Sequence, residues 1–118
     1  MTKEDKELLM RDLSCRIPYG VIVNVYGMSN VKLTSVSWYG EVGVNDDSTY
    51  LYPISEVKPY MFPLSSMTEE QQTNLTKFVA NGIKGEYILY DWYNKIHFDY
   101  RGLIEKELAI DATGLNIY

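Results

Sequence analysis

The stretch from residue 20 to residue 64 most constrains the fold. It is built of short β-branched and aromatic runs, separated by breaks too short to hold a helix. In "GVIVNVYG" Val21, Val23 and Val25 alternate with Ile22, Asn24 and Tyr26, the two-residue period of a strand. Met28-Ser29-Asn30 reads as a turn. "VKLTSVSWYGEVGV" then reads as one long strand or two short ones, bent at Ser35 or Gly40. "NDDS" is a turn cluster, "TYLYPI" a strand with Pro53 marking its edge or its end, and "KPYMFPL" a short extended piece between Pro59 and Pro63. Connections this short join antiparallel neighbours. The middle of the chain is therefore expected to form an antiparallel meander of four or five short strands, which can curl into a small, partly open barrel.

Helical patterns flank the meander. Thr2 and Asp5 form a capping pattern, and Leu9, Leu13 and Ile17 recur every four residues until Pro18 stops the helix. Ser66-x-x-Glu69 and Thr68-x-x-Gln71 are two overlapping capping boxes, with Leu75, Phe78 and Val79 as the buried face and Gly82 as the stop. Residues 86–96 fit either period: Leu89, Trp92, Tyr93 and Ile96 match a helix, Tyr87 and Leu89 a strand. Helix over Tyr87–Ile96 is the better fit. "LIEKELAI" reads as a short helix with Leu103, Ile104 and Leu108 inward, and the residues from Ala112 as an extended tail. The expected class is α+β: an N-terminal helix, the meander, and two or three C-terminal helices in one domain over residues 1–118.

At 118 residues, 46% of them hydrophobic and 23% charged, the chain can bury one core without staples. Its lone cysteine, Cys15, rules out an internal disulfide or a multi-cysteine metal site and suits a reducing, cytoplasmic setting. The N-terminus carries charges of both signs and does not read as a signal peptide, and no apolar run matches the roughly 20 residues of a membrane span. The net charge is −5, and no segment is basic, which argues against duplex nucleic acid as a ligand. No metal and no cofactor are expected. There is one histidine, no phosphate-binding glycine loop and no nucleophile elbow, and Asn45-Asp46-Asp47 lacks the rest of a calcium loop.

Two constellations carry chemistry. His97, Asp99 and Arg101 place a base, an acid and a fixed cation within five residues, and Cys15 beside Arg16 is a candidate thiol. Without a neighbouring nucleophile, the catalytic reading of these four residues is weaker than a structural one. In the latter an imidazolium at His97 meets the helix C-terminus, Asp99 caps the next turn and Arg101 pairs with a carboxylate. The second constellation is aromatic. Eleven tyrosines are an unusual number for this length. Trp38, Tyr39, Tyr50, Tyr52, Tyr60 and Phe62 lie on consecutive strands, forming either core or a binding face.

"RDLSCRIPYGV" (11–21), "PLSSMTEEQ" (63–71) and "DWYNKIHFDYRGLIEKELAIDA" (91–112) together resemble a family of short uncharacterised proteins from gut anaerobes, associated with prophage and other mobile elements. The likeness spans both ends and leaves the meander largely uncovered. It departs at Glu107, where the family pattern carries glycine, and the departure favours a helix there. The resemblance implies a compact fold and an accessory role in a mobile element. The leading expectation is a non-enzymatic module that binds a protein partner, or itself, through a tyrosine-rich sheet surface formed by Trp38, Tyr39, Tyr50, Tyr52 and Tyr60. The alternatives are a small enzyme or ligand-binding protein with a cleft near His97, Asp99 and Arg101, and single-stranded nucleic-acid binding through the aromatic set.

Overall fold

The computed structural model describes the backbone of residues 1–118 and the side chains of all but 48 and 83–86. Helix α1 spans Lys3–Arg16, and its cap is the expected one: the Thr2 hydroxyl accepts from the Asp5 amide at 3.1 Å. A 3-10 turn over Ile17–Tyr19 then leads into the sheet. Its strands are β1 (Ile22–Val25), β2 (Met28–Val36), β3 (Glu41–Val44), β4 (Asp47–Pro53), β5 (Val57–Pro63), β6 (Phe98–Asp99) and β7 (Ile110–Asp111). Helices α2 (Glu69–Ala80) and α3 (Gly82–Lys95) lie between β5 and β6.

The sheet order is β4-β3-β2-β1-β5-β6, with β7 also on β5. The first four pairings are antiparallel. The short connections require this of β1 through β4, whereas β5 pairs with β1 across three intervening strands and not with β4 as a plain meander would, and the sheet does not close. The barrel expectation fails for a topological reason. Past its ladder with β1, β5 is paired by β6 beyond the end of β1 and by β7 on the opposite flank, both parallel and both from the C-terminal third, and the outer side of β4 is left as a free edge. Such pairings between distant segments leave no local signature in the sequence.

Two turns depart from their sequence readings. The first hairpin turns at Tyr26-Gly27 rather than over Met28–Asn30, with Gly27 at φ 82 and Val25 opposite Met28; Asn30, at φ 58, belongs to β2. The 31–44 stretch is two strands with a break over residues 37–40. The Asn45-Asp46 turn forms where expected, both residues at positive φ as a tight hairpin turn demands. In α2 only the Thr68–Gln71 box closes, because Ser66 turns its hydroxyl to the Pro63 carbonyl at 2.7 Å. Val79, expected on the buried face, is 68% exposed; α2 packs on α3 through Phe78 against Trp92, ring centres 5.4 Å apart. Helix α3 starts five residues before the expected Tyr87, and its residues 83–86 have side chains outside the described set.

The "LIEKELAI" segment is not a helix. Residues 103–107 form successive turns, closed by the Leu108 amide on the Leu103 carbonyl at 2.9 Å, with Leu103 and Leu108 buried as expected. Glu107 sits at φ 60, the left-handed region where glycine has no steric penalty. The sharp turn is thus kept although glycine is not. Glu107→Gly is expected to raise stability by about 0.5–1 kcal/mol in urea unfolding, and Glu107→Ile to lower it; a loss with glycine would contradict the strain.

The core gathers one stripe of α1 (Leu9, Leu13), the inward residues Val23, Val25, Leu33, Val42 and Val57 of the sheet, Met61, and Leu103 and Leu108 from the turns. The expected tail is instead tied down. Ala112 donates to the Met61 carbonyl at 2.8 Å, and Tyr118 reaches back to the sheet. Its hydroxyl takes the Ile22 amide at 2.9 Å and donates to the Tyr60 carbonyl at 2.8 Å. This is where the β1–β5 ladder runs out beyond the Val23–Pro59 pair, so one phenol bridges two strands that no longer bond directly.

Candidate functional site

His97, Asp99 and Arg101 leave the end of α3 along β6 and face three different partners. His97 follows the last helical turn at φ 66, and its amide reaches the Asn94 carbonyl at 3.3 Å. Its ring lies flat on Tyr118, 3.5 Å between centres and 11° between planes, with 9% of the residue exposed. Burial, with the Arg16 guanidinium as a second cause, pushes its pKa down from 6.5 to about 4. The imidazolium expected at the helix end is therefore a neutral ring at neutral pH. What it stacks on, rather than what it charges, defines its place.

Asp99 caps the turns that follow. One carboxylate oxygen accepts from the Leu103 amide and the other from the Ile104 amide, each at 2.9 Å. Arg101 turns to α1, where its Nε donates to Asp12 Oδ1 at 3.1 Å. Asp12 and Arg16 are the residues that sequence reading missed. Both side chains are fully buried, and Arg16 Nε and Nη2 grip the Asp12 carboxylate at 2.7 and 3.2 Å. Arg16 Nη2 also donates to the Phe98 carbonyl at 2.7 Å, which ties α1 to β6. The signal was present: Leu9, Asp12, Leu13 and Arg16 fall at i, i+3, i+4 and i+7, so two charges share the leucine stripe. Desolvation pushes the Asp12 carboxyl up, and the two guanidiniums oppose it.

Tyr100 stands between these charges. The Arg16 and Arg101 guanidinium carbons lie 5.2 and 5.0 Å from its ring centre. Tyr93 stacks on it at 5.4 Å with 19° between planes, and the Tyr100 hydroxyl donates to Asn94 Oδ1 at 2.9 Å. Beside it, Cys15, Tyr90, Asn94, Tyr100 and Arg101 line an open cleft of about 520 Å³. Of the four candidates for chemistry, Cys15 and Arg101 thus share a cleft. His97 is covered by Tyr118, and Asp99 has both oxygens engaged on amides. Among the described residues, no group of three or more His, Cys, Asp or Glu is placed to hold a metal ion.

The aromatic set divides in two. Trp38 is 88% exposed, and Tyr39 meets it edge to face at 5.5 Å in the 37–40 turn. Tyr50, on the free edge β4, is 65% exposed, and its neighbour Leu51 is also exposed. Tyr52 is half-buried against the core, and Tyr60 is buried, its carbonyl held by Tyr118. Tyr60 is therefore withdrawn from the surface, on a strand that β1, β6 and β7 all pair with.

Among the described residues no helix is long and apolar enough to cross a membrane. Comparison with protein-family models, with curated proteins and with solved structures finds no match to this chain.

Proposed function

We propose that the chain is a non-enzymatic protein-interaction module, an accessory protein in the mobile-element setting that its family resemblance implies. Its docking surface is the free edge of β4 with Trp38 and Tyr39 beside it. The observation that carries this reading is the exposure of Trp38, at 88%, next to a strand with no partner on its outer side. A bare strand edge invites a further strand, and an exposed Trp–Tyr pair supplies an anchor. Glu41 and Pro53 pair at the end of β4 near Trp38, and Asp46 and Asp47 sit at its other end. With a chain charge of −5, these acids disfavour a second copy and favour an extended segment that alternates apolar with basic residues. They also disfavour single-stranded nucleic acid, whose phosphates need cations beside the rings.

Selection of random peptides on the immobilised protein tests this. Selected peptides are expected to alternate apolar residues with Lys or Arg and to protect the β4 amides from hydrogen exchange. They are expected to lose binding to Trp38→Ser, whose stability should stay within about 0.5 kcal/mol of the parent. Peptides indifferent to that substitution, or no protection of β4, would overturn the reading. A concentration-dependent dimer that protects β4 would assign the edge to self-association instead.

A further inference from the structure

The cleft between α1 and α3 has the construction of a small-ligand site, and its chemistry is distinct from that of the β4 edge. Two walls come from helices, Cys15 from α1 and Tyr90 with Asn94 from one face of α3; Tyr100 and Arg101 close it. Its volume, about 520 Å³, lies in the range of small-molecule pockets. The polar groups are held in place. Asn94 is 7% exposed and has its Oδ1 bonded to Tyr100, which leaves the Nδ2 amide as its donor. Arg101 donates through Nε to Asp12 at 3.1 Å and through Nη2 to the Tyr100 hydroxyl at 3.5 Å, so Nη1 is the part of its guanidinium left to the cleft. Its side chain is 24% exposed where Arg16 is fully buried, so Arg101 is the cation of the cluster that a ligand can reach.

We propose that this cleft binds a small monoanionic carboxylate with a flat apolar body. The carboxylate pairs with Nη1 of Arg101 and the Asn94 amide, and the body lies against Tyr90 and Tyr100. The alternatives fail on charge. A cationic ligand, which stacked tyrosines would otherwise suit, meets two guanidiniums already 5.0 and 5.2 Å from the Tyr100 ring centre. A phosphate dianion would bring two charges to one guanidinium already shared with the Asp12 carboxylate.

Cys15 is the sole thiol of the chain and lines the cleft, so its alkylation reports on the site. Iodoacetate and iodoacetamide react alike: the Cys15 sulfur forms a bond to the reagent's CH2 carbon, iodide leaves and the thiol proton goes to buffer. They differ in that only the first carries a carboxylate. The iodoacetate-to-iodoacetamide rate ratio is expected to exceed that of N-acetylcysteine by about tenfold. Benzoate is expected to slow alkylation by iodoacetamide, and benzamide is not. Titration of the labelled parent protein with benzoate should shift the Asn94 side-chain amide resonances, a readout that needs no variant to fold. In Arg101→Gln the rate-ratio excess should fall at least threefold. A ratio equal to that of N-acetylcysteine would overturn the site. So would a charge preference without benzoate protection, which marks long-range steering, or an unshifted Asn94 amide.

Discussion

Asp12→Ala is expected to lower stability by about 3–5 kcal/mol in urea unfolding, enough to unfold much of a domain of ordinary stability. The alanine removes a carboxylate that accepts from two arginines, and Arg16 has no exposure through which water could take over. What remains is a buried guanidinium with the Phe98 carbonyl at 2.7 Å as its hydrogen-bond partner. The loss comes from the stranded charge more than from the pair itself, since desolvating two ions offsets most of their attraction. The double variant Asp12→Leu/Arg16→Met should therefore recover most of the loss. A single-variant cost below about 1 kcal/mol would show that Arg16 finds another partner, and the cluster would not be the clamp between α1 and β6 described above.

The second large effect is an acid-side loss of stability set by His97. Its folded pKa, about 4, lies below the ordinary 6.5. The unfolded chain therefore takes up the proton first as pH falls. The contribution is intact above about pH 6.5, declines by up to 1.4 kcal/mol per pH unit between 6.5 and 4, and totals about 3 kcal/mol. Carboxylates titrate in the lower part of this window, so the comparison is with His97→Asn, because asparagine tolerates the φ of 66. That variant should be less stable than the parent at pH 7, having lost the ring stacked on Tyr118, yet show a flatter stability curve between pH 6.5 and 4.5. Parallel curves would mean that the buried ring already carries its proton. Tyr118→Phe should keep the pH slope while lowering stability at every pH, because it removes the phenol that bridges Ile22 and Tyr60.

Where local chemistry decided the outcome, the sequence was readable. The Thr2 and Thr68 caps, the Asn45-Asp46 turn and the end of β4 at Pro53 each depend on groups within a few residues, and each formed as its residues indicate. The failures share a cause. Residues 103–108 have the apolar spacing of a helix and still form turns, because Asp99 takes two of their amides and Glu107 adopts a left-handed backbone. The site behaved the same way. The junction role of Asp99 was visible from its position before the turn. Asp12 and Arg16 stood on a leucine stripe, but nothing local said that the second arginine on Asp12 would come from residue 101, or that Tyr118 would cover His97.

The amino-acid sequence by itself determined the α+β class, the antiparallel run of β1 to β4, the N-terminal caps of α1 and α2 and the absence of an internal disulfide, because these follow from residue type at short separation. Only the tertiary structure decided that the sheet stays open, that β6 and β7 add in parallel to β5, and that the "HFDYR" stretch splits among a tyrosine, two amides and an aspartate. The two parallel pairings and the Arg101–Asp12 bond join residues from about 40 to about 90 positions apart in the chain. Their partners are chosen by which surfaces remain unpaired after the local elements form, and that is a property of the assembled core.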